Sequence, residues 1–588
     1  MNGNTRRHLF SVTAAVLFLA VALWWLAGPR SLSRAAGQVL SNVKLNSELP
    51  ANGDVFALYA ISPDSRYVVY VADTEQDQQL ELFSAPTTGL TPPVPLSDLL
   101  PADAGILSFI ITPDSSRVVF VAARESRDVD ELYVVPITGG PITKLNPKLV
   151  AGGNVSFDFQ IDPNSERVVY VADQEIDTVY ELFSVPIDGG PPVKLNNPLA
   201  VEGLVDSKFA ISPDGGRVVY RAIQDKRDVF ELYSAPITGG EVVTLNDPLP
   251  EGGNVAFSDF RITPDGLRVI YRADQEQDGR YELYSVPIGG GPVTRLNPPL
   301  VEGGNVEAGF DMSADGGCAV YRADQATDEV FELFSVPVTG GAAVRLSDDM
   351  AGGGVPANGF AAAPAGDRVV YLADQQTVGV MEIYSASLSG GERVKLNARL
   401  TEGGNVQSFA ISPNGQRVVY RADEDSDEVI ELFSVPIGGG QATQLNGPLA
   451  PGGTVRYFQI NPDSARVVYR AEQDDQWAVE LYSVPIGGGP ATRLNGPLVL
   501  WGNVWSFVIS PDSRRLVYRA DQDVDEQFEL YAVFDDSLLT PTPTPTVIPA
   551  ATNTPVPTPT ATPGPSPSPG LSPTARPPVY TPLILGQP

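Results

Sequence analysis

One phrase of about 50 residues returns ten times between Val43 and Phe534, which confines the chain to folds built by stacking like units. The copy starting at Phe409 reads FAISPNGQRVVYRADEDSDEVIELFSVPIGGGQATQLN. The proline of its Ser-Pro-Asp element stands at Pro63, Pro113, Pro163, Pro213, Pro264, Pro364, Pro413, Pro462 and Pro511, with Ala314 in its place once. These anchors lie 49 to 51 residues apart, which leaves no room for a linker between units.

Each unit offers four short extended stretches, in this copy 408–412, 417–422, 431–437 and 442–446. Pro413-Asn414-Gly415 breaks the first junction, the acidic loop 423–428 the second, and Gly438-Gly439-Gly440 the third. The stretches are rich in Val, Tyr, Phe, Ile and Leu, which suit a pleated, packed surface. None carries a helical apolar spacing for more than two turns. Val-Val-Tyr and Leu-Phe-Ser-Val are apolar on consecutive residues, so these strands are covered on both faces. A radial array of four-stranded sheets covers them in this way, and the expected fold is an all-β propeller. A flat solenoid is the weaker alternative.

The last unit ends at Phe534 without a fourth strand, and an extra copy of that strand stands at Val43-Lys44-Leu45-Asn46. The N-terminus is therefore expected to supply the outer strand of the last blade and close a ring of ten. Two smaller rings are the competing arrangement, and the uniform spacing argues against them.

The phrase ISPDGxRVVY, followed by ELxSVPI and GGxxxxLN, resembles the WD40-like (PD40) propeller repeat of the TolB family. Similar blades occur in tricorn-type and prolyl-oligopeptidase-type peptidases. The resemblance spans about 490 residues and implies the fold. TolB itself carries an α/β domain before a six-bladed ring. This chain has no such domain and more blades, so TolB's own role is not carried over.

Residues 1–37 contain Arg6 and Arg7, an apolar run from Leu9 to Ala27, and small residues at Ala35-Ala36-Gly37. This reads as an export signal, with an uncleaved membrane anchor as the other reading. Residues 38–539 are assigned to the propeller and 540–588 to a stalk. Sixteen of the 48 residues from Pro541 onward are proline, a composition that stays extended, and the stalk ends in a short apolar stretch at 579–585. The expected location is outside the cell or at its surface.

Removing residues 1–37 takes away Arg6, Arg7, Arg30 and Arg34 and no acid, leaving 35 basic side chains against 71 acidic, a net charge of −36. Such a surface repels nucleic acid and anionic membrane. The lone Cys318 excludes an intrachain disulfide and is expected to be a small buried thiol. The only histidine, His8, lies inside the export segment, so a processed chain has none for a Ser-His-Asp or Cys-His mechanism. No phosphate-binding loop is present.

Carboxylates remain. Glu81, Glu131, Glu181, Glu231, Glu282, Glu332, Glu382, Glu431, Glu480 and Glu529 hold one place in every unit, which marks them as structural. Arg272 is expected to sit directly across from Glu282, and Arg421 across from Glu431, with the same offset at Arg221, Arg322, Arg470 and Arg519. Val71, Val121, Val171 and Leu372 replace this arginine elsewhere. Asp274, Glu276 and Asp278, or Asp423, Asp425 and Asp427, could supply oxygen ligands to calcium, though without the spacing of a dedicated loop. A solvated acidic hairpin is the alternative, and no cofactor is otherwise expected.

Departures from the repeat are the candidate binding residues, because the scaffold does not require them. Arg124 and Arg127, with Lys226 and Arg227, put positive charge into loops that are otherwise acidic. Trp477, Trp501 and Trp505 are the only tryptophans after the export segment. They read either as partner or sugar anchors or as packing near the ring closure. The expected function is a monomeric, surface-displayed, non-enzymatic propeller binding a protein or glycan. The alternative is a carboxylate-dependent glycosidase or lyase at the channel mouth.

Overall fold

A computed structural model of the chain describes residues 41–534, apart from 75–78, 99 and 102–103. The export segment and the stalk lie outside the described residues. What is described is all β: ten four-stranded antiparallel sheets, each strand except the N-terminal one pairing with a sequence neighbour, with no helix among the described residues. The fold is a ten-bladed propeller. Blades 1 to 10 are numbered in chain order, and their strands are called inner, second, third and outer.

Blade 3 shows the plan. Its inner strand is Val155–Ile161, its second Arg167–Ala172, its third Glu181–Pro186 and its outer Val193–Lys194. Inside the second and third strands nearly every residue is buried, as consecutive apolar residues require of a sheet covered on both faces. Outer strands beyond the N-terminal one are only two residues long, shorter than the sequence suggests. The connection around Gly189 and Gly190, both at positive φ, takes up the remainder.

One apolar core fills each gap between adjacent blades. Val171, Leu182 and Leu195 of blade 3, for example, pack on Val205, Phe209, Val218 and Tyr220 of blade 4. Full burial of such side chains stabilises by about 1.5–3 kcal/mol each. In every blade a second-strand ring stacks on a third-strand ring, as in Tyr220 on Tyr233 with centroids 5.5 Å apart. Each such pair adds roughly 0.5–1.5 kcal/mol.

The ring closes as its leftover strand implies. Ser41–Lys44 pairs with the third strand of blade 10, Glu529–Phe534, in register Val43 to Ala532. The last core joins Leu45, Val55 and Tyr70 to Val517, Leu530 and Ala532. The turn after each Ser-Pro-Asp element needs a left-handed residue, supplied by glycine in some blades and by serine in five. Each of those serines, Ser65, Ser115, Ser165, Ser464 and Ser513, accepts a backbone N–H from the preceding blade. Ser65 accepts it from Asp512 across the seam between blades 10 and 1, at 3.1 Å. The hydroxyl thus compensates a conformation that glycine adopts without cost.

The structure corrects the expected charge register. Arg272 faces Leu283, and Glu282 faces Ala273, one residue away from the assumed pairing; Arg421 and Glu431 are shifted identically. The recurring glutamate turns outward to the last strand. Glu282 meets Arg295 at 3.3 Å, Glu181 meets Lys194 at 2.9 Å, Glu480 meets Arg493 at 2.9 Å, and Glu529 meets Lys44 at 2.6 Å. Glu431 accepts from Gln444 instead. Cys318 is half-buried, not fully buried as expected, because it sits at the edge position that arginine holds elsewhere.

Candidate functional site

The arginine freed from the expected pairing does something else. Arg221 leaves the second strand of blade 4 and reaches the inner strand of blade 5, where Nε donates to the Val255 carbonyl at 2.8 Å. Its Nη1 meets Asp206 at 2.6 Å, and its guanidinium carbon lies 3.6 Å from the ring centroid of Phe230. Arg272 repeats the arrangement with Asp259, the Val306 carbonyl and the Tyr281 ring. Arg421 and Arg470 donate to the carbonyls of Val455 and Val504. Arg519 crosses the seam to the Val55 carbonyl and stacks on Phe528. Arg322 stacks on Phe331 at 4.2 Å and faces Glu307. A cation held over a ring and hydrogen-bonded to a carbonyl ties one blade to the next.

Blades 1, 2, 3 and 7 have Val71, Val121, Val171 and Leu372 at this place. At the first two, the next blade's Ser115 and Ser165 supply the serine tie. The passages from blade 3 to 4 and from 7 to 8 have neither arginine nor serine, since Gly215 and Gly415 occupy the turns. A sizeable cavity opens at each.

The cavity beside Leu372 is about 320 Å³ and is lined by Phe360, Gln407, Ser408 and Phe409 among others, with no ionisable side chain. The one beside Val171 is about 400 Å³, within the range of ligand sites. Its wall carries Asp130, Phe157, Tyr180 and Asp206, with Leu107 from blade 2. Phe157 is 60% exposed although it lies on an inner strand. Asp206 is committed to Arg221. The Asp130 carboxylate has no hydrogen-bond or ion-pair partner among the described residues; only its backbone N–H is bound, to Asn154. Burial pushes that carboxyl above the usual aspartate range. Burial also raises the Tyr180 hydroxyl, with the charges of Asp173, Asp177 and Asp130 adding to the effect. The site is an aromatic, locally negative recess, suited to an organic cation.

The residues singled out from sequence fall elsewhere. Trp477 and Trp501 meet edge to face at 5.9 Å and are 63% and 55% exposed, an aromatic pair at the junction of blades 9 and 10. Trp505 lies on an inner strand, half exposed, with its edge against Phe528 and Nε1 donating to Asp521 at 3.2 Å. Arg124 pairs with Asp98 and lies 5.4 Å from the Tyr133 ring. Arg227 pairs with Glu202, while Arg127 and Lys226 are exposed.

Of the acids proposed as calcium ligands, Asp274 and Asp423 hold loops. Asp274 accepts the N–H groups of Asn254 and Gly279, and Asp423 those of Asn405 and Glu428. Glu276 turns to Arg295, whereas Asp278, Asp425 and Asp427 are exposed. Among the described residues no three such side chains converge as a metal site.

Asp130, Phe157 and Tyr180 were not singled out from sequence, yet a signal existed. The ring that takes the arginine stands nine residues after it, as in Arg221 and Phe230 or Arg519 and Phe528. Blade 3 is the unit that keeps the ring, Tyr180, while replacing the arginine by Val171.

No family model matches the chain, and no curated protein matches it. Solved structures do. A putative TolB from Agrobacterium tumefaciens matches at 20% identity and a TM-score of 0.26, over 43% of this chain and 83% of that one. An oligogalacturonate lyase in complex with manganese matches at 13% identity and a TM-score of 0.32, over 73% of this chain and 88% of that one. Prolyl oligopeptidase B from Galerina marginata matches at 12% identity and a TM-score of 0.35, over 64% of this chain. The chain spans 56% of that peptidase's length. These likenesses extend to the fold alone. They correct one expectation: two kinds of enzyme stand among the neighbours, so a non-enzymatic chain does not follow from this architecture.

Proposed function

We propose that the ring is an exported binding platform that receives a basic protein segment on its acidic face. The loops between second and third strands and those between blades lie at the same strand ends. Asp173, which directly follows a second strand, accepts the N–H of Asn154 just before an inner strand, and this contact recurs around the ring. Those loops display Asp278, Asp328, Asp425, Asp427, Asp475 and Asp525 to solvent, with Glu251, Glu302 and Glu402 in the connections between blades. This concentration of exposed carboxylates on one face carries the reading. Such a field speeds encounter with cationic partners and repels anionic ones. The composition of residues 1–37 and 540–588 supports export and display, and the PD40-like phrase supports kinship with TolB-type propellers.

The full chain titrated with a lysine- and arginine-rich peptide, a size-matched acidic peptide and neutral oligosaccharides tests this. The basic peptide should bind, and binding should weaken as salt is raised. Binding of the oligosaccharides alone, or salt-independent binding of the acidic peptide, would overturn it.

A further inference from the structure

The recess beside Val171 is a mould whose filling is known from the neighbouring blades. In blade 4 an aliphatic stem rises from position 221 and its guanidinium lies over Phe230, donating to the Val255 carbonyl. In blade 3 the ring is Tyr180, the matching carbonyl is that of Val205, and the stem is cut back to Val171. What is missing from the recess is one arginine side chain. Blade 2 adds a counter-charge: at the place of the ring it carries Asp130, which lines the same space and whose carboxylate has no partner among the described residues. The geometry points to a docking site for an arginine side chain of a partner peptide, with its guanidinium between Tyr180 and Asp130 and its stem against Phe157 and Val171.

Two features favour arginine over other cations. The planar guanidinium stacks on a ring face and donates in the plane at once, which an ammonium does not. Leu107 and Phe157 extend an apolar wall that suits a methylene stem. The second open recess, at Leu372, has Met381 where Tyr180 stands and no acid on its wall, so it lacks both recognition groups. The site deepens the platform reading, on which it rests for the partner being a peptide.

The test uses the full chain and a single-residue probe, N-acetyl-arginine methylamide, with the citrulline and lysine analogues beside it, followed by ligand-observed NMR. The arginine probe should bind more tightly than lysine, and neutral citrulline should not bind. Val171→Arg, which supplies the chain's own guanidinium, should weaken probe binding by about tenfold or more, while Leu372→Arg should leave it unchanged. If Val171→Arg does not melt as a folded protein, Tyr180→Leu and Asp130→Asn decide, each with an expected loss of about tenfold. Equal binding by citrulline, or undiminished binding to folded variants, overturns the site. Peptide binding that ignores Val171→Arg would remove the pocket and leave the platform. Probe binding that Val171→Arg abolishes, without any peptide binding, would do the reverse.

Discussion

Two adjacent gaps in the ring are filled in opposite ways. Between blades 4 and 5 a guanidinium and a carboxylate, Arg221 and Asp206, are less than a tenth exposed, and the arginine bonds the next blade's backbone. Between blades 3 and 4 the same position is Val171, and a cavity of about 400 Å³ takes its place. The apolar cores beneath are alike, since Val169, Leu182 and Val218 serve one as Val219, Leu232 and Val269 serve the other. The difference shows that the arginine tie can be omitted from a gap whose apolar core is kept, with Lys208 on Asp158 and Gln160 on the Phe209 carbonyl still crossing between blades 3 and 4. Where it is omitted, space remains for a ligand.

The sharpest way to break the comparison is Arg221→Ala. Removing one partner of a buried ion pair leaves Asp206 uncompensated, and the expected loss is about 3–5 kcal/mol. Arg421→Ala, whose guanidinium bonds a carbonyl but no acid, should lose nearer 1–3 kcal/mol. Chemical denaturation of both variants checks the order. Similar losses would mean that the carbonyl bond to the next blade, and not the ion pair inside blade 4, carries the stabilisation.

The open gap makes an opposite and smaller prediction. Burial raises the Asp130 carboxyl above its unfolded range, so the ionised form opposes folding. Stability on account of this group is fully present below the unfolded aspartate pKa, about 3.9, and is lost as pH rises through the folded value. Asp130→Asn should therefore be slightly more stable than the parent at neutral pH and equal to it in acid, as read from melting temperatures across pH. A variant less stable at neutral pH would show that Asp130 already has a favourable partner in the chain.

The smallest effect concerns the outer edge of the blades. Glu282 has Arg295 across the outer strand, whereas Glu231 has Thr244 there and keeps its bond from the Tyr233 hydroxyl. Glu282→Gln should cost up to about 1 kcal/mol more than Glu231→Gln, and the excess should shrink in high salt. Equal losses at the two sites would assign the glutamate to its tyrosine alone.

Much of the fold was legible in the sequence because it is local and repeated. Gly-rich and Ser-Pro-Asp turns delimit strands, consecutive apolar residues mark sheets covered on both sides, and the extra Val43–Asn46 segment announces how the ring closes. The register of the second hairpin was misjudged by one residue. Its loop is longer than a two-residue turn, so loop length did not pin the pairing, and charge complementarity suggested a neighbour for Arg272 inside its own blade. Arginine is long enough to leave its sheet, and the carbonyl it bonds belongs to another blade. Only stacking could reveal that destination. The same holds for the recess. In the sequence Val171 is one ordinary residue among several aliphatic ones at its repeat position, with Tyr180 nine places on. It becomes a cavity walled by Asp130, Phe157 and Tyr180 only when three blades stand side by side, because a void is a property of the neighbours that fail to fill it.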